Sequence, residues 1–256
     1  MKGLLPMLQM EALGQLRTWR ALVTLAVFVF VGLGSPMVAK LTPMLLAALP
    51  QDQLQGFELL MLREPDMIDA LGQFLKNFNM VPLLVVLGGM GTIAGERASG
   101  VAPMILSKPV SRAAVVVARF LAPAAVLTAG TALAFGGFAL YGSVLFGPLD
   151  MAGFAAVNGL LLMQLLFFQA LIVAASATTR SAGVAAGLGM AGWIAVSAVG
   201  ASPTLARFTP AGLGVGAADL AFGREPVGLG LCAALSALWI VGLLAAGVAV
   251  LRRQEI

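Results

Sequence analysis

Residues 77–119 read NFNMVPLLVVLGGMGTIAG (77–95), ERASGVAPMILSKPVSR (96–112) and AAVVVAR (113–119). The first block carries no charge and is long enough to cross a bilayer, which takes about 20 apolar residues. The second gathers Glu96, Arg97, Lys108 and Arg112. Apolar chain then resumes. A span ends near Gly95, a compact polar connector follows, and another span begins after Ser111. That alternation implies helices crossing a membrane, joined by short polar segments.

The rest of the chain repeats it. Of 256 residues, 60% are hydrophobic and only 10% charged, with a mean hydropathy of +1.00. A soluble domain carries roughly a quarter charged residues. Charge-free windows at 21–39, 77–95, 120–149, 151–179, 181–206 and 226–251 place spans at approximately 21–40, 77–95, 113–141, 151–178, 181–201 and 227–251, with Asp150 and Arg180 in tight turns. The expected fold is an all-α integral membrane domain over 1–256: six transmembrane helices, an N-terminal interfacial helix and a helix in the connector at approximately 98–108.

Lysine and arginine bias sets the orientation. The N-terminus, the connector taken through Arg119 (96–119), Arg180 and the C-terminal tail hold ten basic and three acidic residues, whereas the other side holds five basic and eight acidic. Both termini and the connector are therefore expected in the cytoplasm. The pI near 9.8 follows from this topology and does not point to nucleic acid.

Three flanking segments carry signals. Segment 4–19 repeats Leu5, Leu8, Ala12, Leu16 and Trp19 at helical spacing, which predicts an interfacial helix with Glu11 on its polar side. Pro65-Asp66 starts a helix whose apolar face is Ile68, Leu71, Leu75 and Phe78, expected on the outer membrane surface before span two. The glycine-rich stretch 207–225 reads as a bent outer hairpin rather than a full crossing.

Within the connector, Ser99-Gly100 can open a short helix, and Pro103 is tolerated only in its first turn. Met104, Ile105 and Leu106 give it an apolar side, Pro109 ends it, and Ser111 is placed to cap span three. The run Glu96, Ser99-Gly100 and Ile105-Leu106-Ser107-Lys108-Pro109-Val110-Ser111-Arg112 resembles the signature of ABC type 2 exporter permeases. Val101, where that family usually has Thr, and Pro103, where it has Glu or Leu, depart from the pattern.

The resemblance implies a coupling helix seated in a groove of a separate cytosolic ATPase, two copies per complex. Ser99, Gly100, Ile105, Leu106, Ser107 and Lys108 would form the docking surface beside Arg97, with Glu96 and Arg112 anchoring its ends. It further implies a second permease copy, in a homodimer, in a prokaryotic inner membrane. ATP and magnesium would be held by the partner, with no cofactor and no catalysis on this chain. Two alternatives stay open: a permease for maturation of a periplasmic enzyme, of the nitrous-oxide-reductase-assembly type, and a non-transporting membrane anchor for a cytosolic complex.

Other patterns carry less. Histidine is absent and Cys232 is the sole cysteine, which excludes His/Cys zinc sites, Cys-His nucleophiles and internal disulfides. No GxxxxGK[ST] motif exists, so this chain cannot hydrolyse ATP alone. Gly187, Gly189 and Gly192 match GxGxxG, but inside span five, without the strand and acidic residue a dinucleotide site needs. Small residues at Gly183, Gly187 and Ala191 suit close helix packing, as do those of Gly88-Gly89-Met90-Gly91. Asn158, Gln164 and Gln169 are the polar residues of span four, with interhelical bonding or cargo contact as candidate roles. The apolar windows hold no ionisable residue, which argues against proton coupling and for an amphipathic or lipid-like cargo. The thirteen methionines are scattered, as core fillers are.

Overall fold

The computed structural model describes residues 3–47, 64–100 and 110–253, and helix is the only regular structure among them. The helices are α1 (Leu4–Arg17), α2 (Trp19–Ala47), α3 (Met67–Phe78), α4 (Val81–Gly89), α5 (Ala94–Ala98), α6 (Arg112–Phe146), α7 (Met151–Thr178), α8 (Ala182–Gly200), α9 (Pro203–Ala206), α10 (Ala211–Ala221) and α11 (Leu229–Arg253). Six crossings are long and apolar enough for a membrane among the described residues, with α3, α4 and α5 counting together as one. The chain is an all-helical integral membrane protein.

Several helices outrun the charge-free windows. At 1.5 Å per residue, α6 with its 35 residues is about 52 Å long, well beyond the ~30 Å hydrocarbon layer. Its first two turns, Arg112 to Arg119, lie at one end of the bundle, where Val116 packs with Val173 and Leu251. That end also carries α1 and the close of α11; it is called the connector end here.

Caps explain the helix starts. Ser111 Oγ accepts the Ala114 N–H at 3.2 Å, and Asp150 Oδ1 accepts the Ala152 N–H at 3.1 Å. Asp66 and Asp69 form a reciprocal capping box, both bonds 3.0 Å. The second crossing breaks after Phe78 because the Pro82 ring clashes with the carbonyl four residues back and offers it no N–H.

The most enclosed crossing is α7, two thirds buried over its most apolar window, whereas α8 is 11% and α11 is 17% buried. Around α7 lies a phenylalanine core. Phe74 sits at its centre, its ring centroid 5.1 Å from Phe138, 5.2 Å from Phe154 and 5.6 Å from Phe78. This corrects the expected surface position of α3. The helix is sunk into the bundle through Ala70, Leu71, Phe74, Leu75 and Phe78, while Ile68 faces outward. Of the predicted face, Leu71, Leu75 and Phe78 are buried and Ile68 is not; Ala70 and Phe74 complete it. Phe74→Leu keeps most of the volume but loses the ring contacts, so it is expected to cost about 1.5 kcal/mol, read as a lowered Tm in detergent.

The 207–225 segment holds one short helix, α10, and α9 ends just before it. With 11 residues, α10 is about 16 Å long and cannot cross. Its glycines let it sink between α7 and α11: a Cβ on Gly212 would lie 2.8 Å from Cys232 Sγ, and one on Gly216 would lie 2.6 Å from Leu229 Cδ1.

Candidate functional site

The connector end is held by polar side chains reaching between crossings. On the side where the connector begins, Arg97 Nη1 donates to the carbonyl of Ala177 at 2.9 Å, in the last turn of α7. On the side where it ends, Arg112 Nη1 donates to the carbonyl of Leu251 at 3.0 Å, in the last turn of α11. Helix C-termini leave four carbonyls without intrahelical partners and carry partial negative charge. A guanidinium at each of these two ends satisfies both needs.

Beneath Arg97 the chain turns sharply between α4 and α5, where Gly88, Gly89 and Gly91 hold a helix poorly. Ser176 of α7 stabilises this turn. Its Oγ accepts the N–H groups of Ile93 at 3.0 Å and Ala94 at 2.9 Å, and donates to the Met90 carbonyl at 3.1 Å. Ser176→Ala would orphan two buried donors, at about 2–4 kcal/mol. The expected result is faster proteolysis at residues 96–112 with the rest of the chain protected; an unchanged cleavage rate would contradict it.

One buried cation lies deeper. Arg119, 3% exposed, is two turns into α6. Its Nη2 bonds the Glu96 carboxylate of α5 and lies 3.2 Å from Glu11 Oε1 of α1. Gln169 Nε2 of α7 donates to the Arg119 carbonyl at 3.3 Å. Burial pushes the Glu11 carboxyl above its ordinary range; Arg119 opposes that shift and Glu96 adds to it.

The sequence reading missed this cluster. Arg119 was counted with the connector's positive charges, because a charge ended the apolar window. Glu11 was placed on the polar side of α1, yet Leu4, Met7, Leu8, Glu11 and Gln15 are the residues turned to the bundle. Leu5, Leu16 and Trp19 point outward, at 67%, 74% and 78% exposure. The absence of ionisable groups holds for the windows as drawn, not for the helices. A visible signal was the spacing of Arg119 seven residues after Arg112, within an otherwise Ala/Val run.

Of the connector candidates, Ile105, Leu106, Ser107 and Lys108 lie outside the described residues, as does most of the expected helix at 98–108. Ser99 and Gly100 are exposed at its start. Glu96 and Arg112 are turned inward, to Arg119 and Leu251.

The three amide side chains of α7 do not converge. Asn158 Nδ2 donates to the Phe154 carbonyl at 2.9 Å, Gln164 lies against Gly214 of α10, and Gln169 belongs to the Arg119 cluster. Among the glycines, Gly89 packs on Ile172, Gly189 on Val86 and Gly192 on Leu171. Gly183 and Gly187 face away from the bundle, and a Cβ on Gly187 would meet nothing within 4 Å.

A groove of about 630 Å³ opens between α2 and the second crossing. Val23, Val27, Val81, Leu84 and Leu87 form its apolar walls, and Trp19 and Arg20 line its connector end.

The family model for ABC-2 family transporter proteins matches residues 6–214, most of the chain. The chain belongs to this family. It is therefore the membrane permease component of an ABC transporter. The permease is also similar to an uncharacterised transmembrane protein of Bacillus subtilis (strain 168), YxlG, at 29% identity over 216 residues, 82% of each chain. An ABC-2 permease normally works with a cytosolic ATPase subunit. In this one, the connector end has bonded roots on two neighbouring crossings, and the groove lies beside the first.

Proposed function

We propose that this permease exports an amphipathic or lipid-like compound across a prokaryotic inner membrane, driven by two copies of a separate cytosolic ATPase. The connector end and both termini face the cytosol, and two copies of this chain form the pathway. ATP and magnesium are held by the ATPase. Ser99, Gly100, Ile105, Leu106, Ser107 and Lys108 are the docking surface. The excess of basic residues at this end supports the orientation.

The observation that carries the reading is the rooting of the connector. Arg97 ties its start to the end of α7, and Arg112 ties its finish to the end of α11. A push on this short segment therefore reaches the most enclosed crossing and the last one, besides the two crossings that it joins. The groove supports the cargo class. Its side chains are apolar over α4, Arg20 stands at one end, and α4 is about 14 Å long, roughly half of the hydrocarbon thickness. An anionic head at Arg20 with one chain along α4 matches that shape.

The test has two arms. A tagged permease is expected to bring down a nucleotide-binding subunit, and reversing the charges of Arg97 and Lys108 together is expected to abolish ATP-dependent transport. In nanodiscs, an anionic phospholipid is expected to stimulate the ATPase of the complex. Absence of any co-purifying ATPase, or stimulation by a simple inorganic ion and by no amphiphile, overturns the proposal.

A further inference from the structure

We infer that α1 is a driven part of the transmission rather than a passive anchor, and that Arg119 is the positioning residue that ties it to the connector. The inference rests on the reading that an ATPase moves the connector.

Two contacts join α1 to opposite roots of that segment. At the finish, Gly3, Leu4 and Leu8 pack on Val110 and Val115, and a Cβ on Gly3 would stand 3.0 Å from Val110 Cγ2. At the start, Glu11 reaches Glu96 through the shared Arg119 guanidinium. The helix thus lies across both roots like a strap, with the ion pair as its polar tie.

The polar contact is unbalanced. Two carboxylates share Nη2 of one guanidinium, while Arg119 Nε is buried with no hydrogen-bond partner among the described residues. A guanidinium and a carboxylate bond best as a bidentate pair. Arg119 could give that pairing to Glu11 or to Glu96, which would provide two arrangements that differ in which helix it holds. A discrete two-state contact is the physical requirement for passing a movement between elements.

The movement has a route onward. Thr18 is the one non-helical residue between α1 and α2, extended at φ −96° and ψ 153°, with its Oγ1 bonded to the Gly14 carbonyl at 2.8 Å. Tilting α1 about this joint would swing the start of α2, where Trp19 and Arg20 line the groove. The connector, α1 and the groove wall form one continuous linkage.

The test uses the assembled complex in nanodiscs, with Cys232→Ser as background. Spin labels at Met10 of α1 and at Ala98 are each paired with a label at Met151, at the far end of the enclosed α7. Distances are compared between the nucleotide-free and the ATP–vanadate-trapped states. In the otherwise unaltered chain both pairs are expected to shift. In the charge-free variant Glu11→Gln/Glu96→Gln/Arg119→Met, which retains the packing, the Ala98 shift should persist and the Met10 shift should vanish. Glu11→Gln alone should raise the ATP hydrolysed per labelled phosphatidylglycerol moved by about tenfold, with basal ATPase unchanged.

If Ala98 itself does not move, the failure belongs to the proposed ATPase drive. If Ala98 moves and Met10 does not in the unaltered chain, α1 is a passive anchor and the inference is overturned. The same follows if the charge-free variant keeps the Met10 shift, or if Glu11→Gln leaves the coupling ratio unchanged.

Discussion

Gly32→Leu is expected to abolish assembly of the bundle, seen as loss of the monodisperse peak on size exclusion in mild detergent. The cause is where the side chain would go. A Cβ on Gly32 would stand 2.6 Å from the Ala134 carbonyl oxygen and 2.8 Å from its Cα. These are backbone atoms in the middle of α6, so no rotamer change relieves the clash. From the other side, Gly130 of α6 receives the Phe28 ring, with a Cβ there only 2.3 Å from Phe28 Cδ2. The crossing of α2 and α6 is thus keyed in both directions, Phe28 over Gly130 and Ala134 over Gly32. Even Gly32→Ala is expected to cost about 2–3 kcal/mol through overpacking. The helix propensity gained, about 1 kcal/mol, does not offset that. Gly136→Ala is the control: it lies on the same α6 with nothing within 4 Å of the added carbon, and it should be neutral or stabilising. A monodisperse, stable Gly32→Leu protein would show that the α2–α6 crossing is set elsewhere.

Gly32 and Gly130 also show what the sequence left unread. The all-helical membrane class was legible because it follows from composition and from the length of the apolar runs, which are local properties. The glycines of spans two and five attracted the packing argument because they cluster, as in Gly88-Gly89-Met90-Gly91. Gly32 and Gly130 stand alone in sequence, and only the crossing of two helices about a hundred residues apart gives them their role. Phe74 is similar: α3 was found from Pro65-Asp66, but its burying face depends on partners at Phe138 and Phe154.

The connector was legible for a different reason. Charge density between two apolar runs is a one-dimensional signal, and Arg97 and Arg112 stood out in it. Their partners did not, because both are main-chain carbonyls at distant helix ends, Ala177 and Leu251. A carbonyl acceptor leaves no mark in a sequence. Windows that stop at a charge also hide any charge lying inside a helix. Arg119 was hidden in this way, and with it Glu11.

Arg119→Met should be the most destabilising single polar change among the described residues. It leaves Glu96 and Glu11, whose side chains are 28% and 14% exposed, facing each other without a cation. Removing one partner of a buried ion pair costs about 3–5 kcal/mol, mainly because the remaining charge is uncompensated. Glu11→Gln should cost far less, about 1 kcal/mol, because Arg119 keeps Glu96 and a desolvated carboxylate is removed. Adding Glu11→Gln and Glu96→Gln to Arg119→Met should recover most of the loss, since replacing a buried ionic group as a whole is often close to neutral. Cys232 offers the readout. It is 1% exposed and is the sole cysteine, so a thiol-reactive dye reports when the bundle opens on heating. The expected order of opening temperatures is Arg119→Met lowest, then the charge-free triple variant and Glu11→Gln, then the unaltered chain. Should Arg119→Met open no earlier than Glu11→Gln, the two carboxylates are solvated in the membrane-embedded protein. The Arg119 cluster would then be a surface ion pair rather than the joint of the connector end.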